Sequence, residues 1–255
     1  MGCKINTSNS PILFKLSTRT PTTIPSSIPV QPKRPKTHSI TYSSSSNKGP
    51  IPQRPTTTAT TQNQQLKTVL YNVKFQTLRS CKLGISRYPD FDYNAEGGTG
   101  TAAGTKNTAI VSDKISISFD AQTLYIPPLT DSTTRFLGLP LPPFLKIDIL
   151  PELFQGTIDE ETGQVDLEFR AKFLFSVGSI YRAPPLLVST VLTSEESRGK
   201  IKGGRGERLD GEGKCRLVGV ATVDPISDLL MDSFLGLPTE CLADLNAIIS
   251  ISTST

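Results

Sequence analysis

The run Val165-Asp166-Leu167-Glu168-Phe169-Arg170-Ala171-Lys172-Phe173-Leu174-Phe175-Ser176-Val177 decides the fold class. All seven odd positions are apolar, and five of the six even ones are charged or polar. Successive side chains of a strand point to opposite faces, so this pattern sets one face against a core and the other in water. Wound as a helix, the same residues would scatter around its circumference. Thr162-Gly163, preceded by Asp159–Glu161, supplies a turn, which predicts a hairpin of residues 152–158 and 164–177.

Weaker alternations continue the pattern on both sides. Val111, Ile115, Ile117 and Phe119 share one face, as do Leu145, Ile147 and Ile149, and Leu186, Val188 and Leu192. Residues 66–77 and 81–87 read as an opening pair, and Lys200–Lys202, Glu207–Asp210 and Lys214–Val223 as later strands between glycine turns. The expected fold is therefore mainly β, an antiparallel barrel or sandwich of about 8–10 strands with two short helices. No βαβ alternation is present to support a doubly wound sheet.

The two helices are expected in an internal echo. Residues 127–140 and 225–238 align at an offset of 98, sharing Phe-Leu-Gly-Leu-Pro at 136–140 and 234–238. In the second copy Asp224 is placed to cap a helix, Pro225 fits its first position, and Ile226, Leu229, Leu230 and Phe234 fall on one stripe. Gly236 then supplies a left-handed cap and Pro238 forbids continuation. The first copy predicts a shorter helix from Thr130 to Leu137, closed at Gly138. Both glycines should have positive φ.

Residues 1–66 are a different polymer. They hold 22 Ser/Thr, nine Pro, eight Lys/Arg and no acid, leaving 19 basic residues against all 23 acids in residues 67–255. Such a segment cannot bury enough apolar surface to offset the entropy of ordering, so a disordered tail precedes a single domain at 67–255. A basic, Ser/Thr-rich, acid-free start has the composition of a transit peptide, and the scarcity of Arg favours the chloroplast, in the stroma or on the stromal face of a plastid membrane. Met1-Gly2-Cys3 is the rival feature, an acylation start, but Asn6 stands where that motif takes Ser or Thr. The basic balance belongs to the tail, so it gives the folded part no nucleic-acid signature.

The sole histidine, His38, lies in the tail. Imidazole bases, Ser–His and Cys–His pairs and His-ligated metals are thereby excluded from residues 67–255. Cys81, Cys215 and Cys241 are widely spaced and form no C-x-x-C, which suits buried thiols in a reducing compartment.

Asp90 to Glu96 places oxygen ligands at alternating positions, but Ala95 and Thr101 replace the glycine and the bidentate glutamate of a calcium loop. Gly97–Gly104 has the wrong spacing for a phosphate loop and reads as a flexible connection. The charges of Gly199–Gly213 alternate in sign and read as protected sheet edges. Asp148, Glu152, Asp166 and Glu168 are the carboxylates nearest apolar sequence, and no two of them pair convincingly as acid and base. No catalytic residue, metal or cofactor is assigned.

Three apolar–Pro–Pro–apolar corners remain: Ile126 to Leu129, Leu141 to Phe144 and Ala183 to Leu186. Between the first two lies an unusual concentration of large apolar groups. Phe136, Leu137, Leu139, Leu141 and Phe144 are expected to line the mouth of a barrel or to form a contact patch. With no Trp and a single Met in residues 67–255, the domain lacks bulky fillers for a barrel centre. In outline, a transit peptide before a β-rich domain of about 190 residues is similar to plastid lipid-associated, lipocalin-like proteins, in architecture alone. The expected function is a non-catalytic chloroplast module for an apolar small molecule or plastid lipid surface. An assembly factor for plastid protein complexes and a His-free enzyme are the alternatives.

On import into chloroplasts, cleavage should fall between residues 40 and 66. Mass spectrometry of the N-terminus of the protein isolated from chloroplasts checks this; an intact acylated Gly2 would overturn it.

Overall fold

The computed structural model describes residues 68–107 and 114–254. The tail, with Met1-Gly2-Cys3 and His38, and Val111 lie outside the described residues. In chain order the first strands are β1 (Thr68–Thr77), β2 (Cys81–Ile85), β3 (Phe91–Tyr93), β4 (Thr99–Asn107), β5 (Lys114–Phe119), β6 (Thr134–Phe136) and β7 (Leu139–Pro140). They are followed by β8 (Leu145–Asp159), β9 (Val165–Val177), β10 (Tyr181–Arg182), β11 (Leu186–Thr193), β12 (Glu196–Arg198), β13 (Gly203–Arg205) and β14 (Lys214–Val223). Helix α1 (Leu229–Leu235) connects β14 to β15 (Thr239–Thr253).

Eight of these strands run β1-β4-β5-β8-β9-β11-β14-β15, and β15 pairs back onto β1. Every pairing is antiparallel, so the chain goes up and down around a closed barrel, with the shorter elements inserted between staves. Of barrel and sandwich, the structure is the barrel. The pairing of Tyr71–Thr77 with Ala247–Thr253 removes the two open edges that a sandwich would keep.

The expected hairpin is present and longer than foreseen. β8 runs from Leu145 through a register shift between Pro151 and Leu153 to Asp159. Glu152 is the extra residue of this bulge, so the inward positions change from 145, 147 and 149 to 154 and 158. That change of parity made one bent strand read as two.

Other boundaries differ as well. β1 and β2 do not pair with each other. They follow one another along the same edge of β15, interrupted at Leu78–Ser80, where Ser80 has φ of 62°. Gly97–Gly104 is not a flexible connection. Most of it belongs to β4, with Gly100, Ala102 and Gly104 turned inward beneath Leu124, Phe119 and Ile115. Lys200–Lys202 is a turn, because the buried Glu240 carboxylate accepts the three successive N–H groups of Lys200, Ile201 and Lys202 at 2.7, 2.8 and 2.9 Å. These bonds hold Glu240 below the usual carboxylate range. Glu207 belongs to no strand: its backbone makes an isolated bridge to Arg216, whose guanidinium also pairs with the Glu207 carboxylate at 2.6 Å.

Only α1 is helical among the described residues. Thr130 to Thr134 forms a turn, in which Thr133 Oγ1 donates to the Pro128 carbonyl and accepts from the Thr130 N–H. These hydroxyls compete with the backbone bonds that the expected first helix would have needed. Gly138 and Gly236 do both have positive φ, 79° and 70°. Gly138, however, turns a β hairpin, whereas Gly236 ends α1, so the repeated Phe-Leu-Gly-Leu-Pro adopts two structures. The cap of α1 is Asp228, not Asp224; its carboxylate accepts from the Met231 N–H at 2.9 Å. That shift turns Met231 and Leu235 inward and leaves Leu229, Leu230 and Phe234 exposed, overturning the expected buried stripe.

Inside the barrel one half is solid. Phe75, Phe119 and Phe154 form a ring cluster, with Phe119 and Phe154 stacked at 4.6 Å, and Ile115, Ile158, Leu167, Leu217 and Ile249 close around them. Truncating Phe154 to Ala should lower stability by about 3–5 kcal/mol. Chemical denaturation with an unchanged m-value checks this, and a loss under about 1 kcal/mol would show that this half is loosely filled.

Candidate functional site

The other half of the barrel is hollow. Its cavity is about 440 Å³, within the range of ligand pockets, about 300–1,000 Å³. Phe169 forms the floor, its ring edge-on to Phe154 of the solid half at 5.9 Å. β8 and β9 contribute Ile147, Phe173 and Phe175 to the wall, and β11 contributes Leu186 and Val188. Opposite them, β14 and β15 offer Gly219, Ala221, Cys241 and Ala243. These small residues leave the space. On these two strands the solid half sets Leu217 and Ile249 beside Cys215 and Ala247, whereas the hollow half sets glycine, two alanines and a cysteine, with Val223 near its end.

The wall is almost wholly carbon. No carboxylate, amine or imidazole lines it among the described residues. The Cys241 thiol does, but burial pushes it up to about 11, so it stays protonated and weakly nucleophilic at neutral pH. The candidate carboxylates are elsewhere. Asp148 pairs with Lys146 and Glu152 with Lys172, at 2.8 and 2.5 Å; Glu168 meets Arg170, and Asp166 accepts from Thr193 Oγ1. The oxygens of the 90–96 segment are also dispersed: Asp90 binds Lys202 and Glu96 binds Arg79.

The five residues singled out in the sequence fall at the mouth of this cavity in different roles. Leu141 is buried and Phe136 half-buried; both line it, as does the exposed Leu139. Phe136 belongs to an aromatic seam. It stacks on Phe91 at 4.7 Å and meets Tyr88 at 6.2 Å, and Tyr88 packs on Phe234 of α1 at 5.7 Å. The Tyr88 hydroxyl donates to the Phe234 carbonyl and Arg87 to the Ser233 carbonyl, both at 2.6 Å, fixing α1 beside the opening. Phe136 is therefore part of the frame, while Leu137 and Phe144 project from it at 71% and 79% exposure.

Their backbone is unusual too. Leu137 and Phe144 have φ of 51° and 70°. Bulky side chains avoid this left-handed region at a cost of about 1–2 kcal/mol. Leu137-Gly138 forms the two-residue turn between Phe136 and Leu139, a position that favours Asn-Gly. Thus two large apolar groups are held in water on strained backbone, next to an apolar cavity.

Sequence reasoning missed the rest of the rim. Ile180, in the turn between β9 and β10, and Leu229 at the start of α1 are 91% and 89% exposed. Gly178 N–H donates to the Phe144 carbonyl at 2.9 Å, joining that turn to Phe144. On the other side Tyr181 lies beside Asp228; burial and this carboxylate push its hydroxyl above the ordinary tyrosine value. The Ile180 turn therefore sits between Phe144 and α1. Its only sequence signal was Gly178-Ser179-Ile180, an apolar residue in a turn.

No protein-family model, curated protein or solved structure matches this chain. The site is therefore read from its own geometry.

If the strain at Leu137 serves no purpose in folding, Leu137→Asn should raise stability by about 0.5–1 kcal/mol, since Asn tolerates the left-handed region. Thermal unfolding checks this. A lowered melting temperature would mean that the Leu137 side chain supports the hairpin.

Proposed function

We propose that this protein is a non-catalytic plastid module that holds one apolar molecule inside its barrel. The observation that carries the reading is the hollow half, a cavity of about 440 Å³ whose wall offers a ligand carbon contacts and few polar ones. An empty apolar cavity is destabilising, roughly in proportion to its volume. Filling the wall with larger residues would have removed that cost, as it is removed in the Phe75–Phe154 half. A bound hydrocarbon chain or isoprenoid-like group replaces the missing contacts and gains its own desolvation.

Specificity of this kind is by shape and polarity. A charged or strongly hydrogen-bonding ligand would lose its hydration without gaining partners, so the buried part of the ligand must be hydrocarbon. A polar end can only sit at the mouth, near Arg87 and the Tyr88 hydroxyl. Among the described residues the wall carries no carboxylate, amine or imidazole, and its Cys241 thiol is pushed up to about 11, which supports a carrier or sequestering role over acid–base chemistry. The acid-free, Ser/Thr-rich tail is what supports the plastid as the place of action.

The test is titration with a fluorescent fatty-acid probe in vesicle-free solution. One probe should bind per chain, and Val188→Phe or Ala243→Phe, which grow into the cavity, should weaken it by about tenfold or more while leaving the fold intact. Equal binding by both filled variants would remove the cavity as the site.

A further inference from the structure

The rim has a property that the cavity alone does not require. Leu137, Leu139, Phe144, Ile180, Leu229 and Leu230 are all exposed, and they sit on three separate connections around one opening. Monomeric proteins seldom leave so many large apolar groups together in water. Nor are these groups passive remainders of packing, because Leu137 and Phe144 are held out on left-handed backbone. Strain at such positions is retained where it serves a function.

Charge fits one kind of apolar partner. Arg135 and Arg182 are exposed on β6, which leads into the Leu137 turn, and on β10, which leads out of the Ile180 turn, and neither has an ion-pair partner among the described residues. On α1 the carboxylates are turned back onto backbone: Asp228 caps Met231, and Asp232 accepts from the Ile226 N–H at 2.9 Å. Exposed apolar tips beside free guanidinium groups suit the boundary between acyl chains and lipid phosphates. Asp92 stands opposite Arg135 in the β3–β6 register, and Asp131 and Asp224 remain exposed on the approaches to β6 and α1, so apolar insertion has to supply most of the attraction.

We propose that the open end of the barrel docks on a bilayer containing anionic lipid, inserting the Leu137, Phe144, Ile180 and Leu229 tips so that the cavity opens directly into the acyl layer. This rests on the cavity reading above and extends it. A hydrocarbon ligand would then pass between membrane and barrel without crossing water, which is the step that most opposes transfer of such a molecule.

The test uses the full chain and flotation with phosphatidylcholine vesicles containing about 30% phosphatidylglycerol. Salt is held near 1 M, where the Debye length is about 3 Å and binding through the basic tail is screened. The wild-type protein should float, and the Leu137→Asn/Phe144→Asn/Leu229→Asn variant should lose about nine-tenths of the floated fraction. That variant should melt no lower than the wild type, since Asn relieves the left-handed backbone at 137 and 144, and should keep its binding of the soluble fatty-acid probe. Because the chain has no Trp, Leu139→Trp and Leu187→Trp give a second measurement. The rim tryptophan should shift to the blue on adding vesicles and the outer-wall one should not.

Undiminished flotation of the triple variant would overturn the proposal. So would failure of the wild type to float at this salt, or a wild-type dimer that the triple substitution dissociates. Failure of the wild type to bind the soluble probe would instead remove the cavity reading, whatever the flotation shows.

Discussion

Everything in this structure depends on the pairing of β1 with β15. Seven residues of β1, Tyr71–Thr77, run against Thr253–Ala247 and turn a long antiparallel meander into a closed barrel. Without that pairing both strands would be open edges, and the inward faces of β4, β5, β8 and β9 would lose the opposite wall. β15 is also the longest contact made by the inserted elements, since β2 pairs with it beyond the end of β1. The strand that closes the barrel therefore also carries one side of the mouth. Ala243 and Cys241 face the cavity from it while Leu83 and Ile85, on β2, extend the wall.

Closure alone does not make a binding site. Small barrels have room for side chains or for one ligand, and this one divides the choice along its axis. The division falls near the Glu152 bulge, where Phe154 meets Phe169. On one side are phenylalanines and branched aliphatics; on the other, four small residues of β14 and β15 face a carbon wall. The solid half gives the fold its stability, and that lets the hollow half forgo contacts.

The long Val165–Val177 alternation was enough to identify the strand, its two faces and its hairpin partner, because a period of two has one geometric meaning. Mouth residues 136–144 were recognisable for a related reason, an excess of large apolar groups in a segment rich in proline. Their individual roles were not. Leu141 is buried, Phe136 is locked in a ring stack and Leu137 is exposed, although all three are apolar neighbours in one short segment. Burial depends on which strand lies opposite, and β3 reaches Phe136 only because β2 is held by β15. The α1 face was misread by the same limit. Asp224 and Asp228 are both competent caps, and the choice between them rotates a different stripe toward the barrel.

By itself, the sequence determined the β class, the antiparallel hairpin logic, the acid-free tail and the absence of imidazole chemistry after residue 66, since these follow from periodicity and composition. It also marked the excess of large apolar groups at 136–144. Only the tertiary structure decided that the sheet closes, that Gly100, Ala102 and Gly104 are barrel residues, and that one half is hollow. Each of these is set by which side chains meet across strands far apart in sequence. Gly219 and Ala243 leave space because of what does not stand opposite them, and a void has no local sequence pattern.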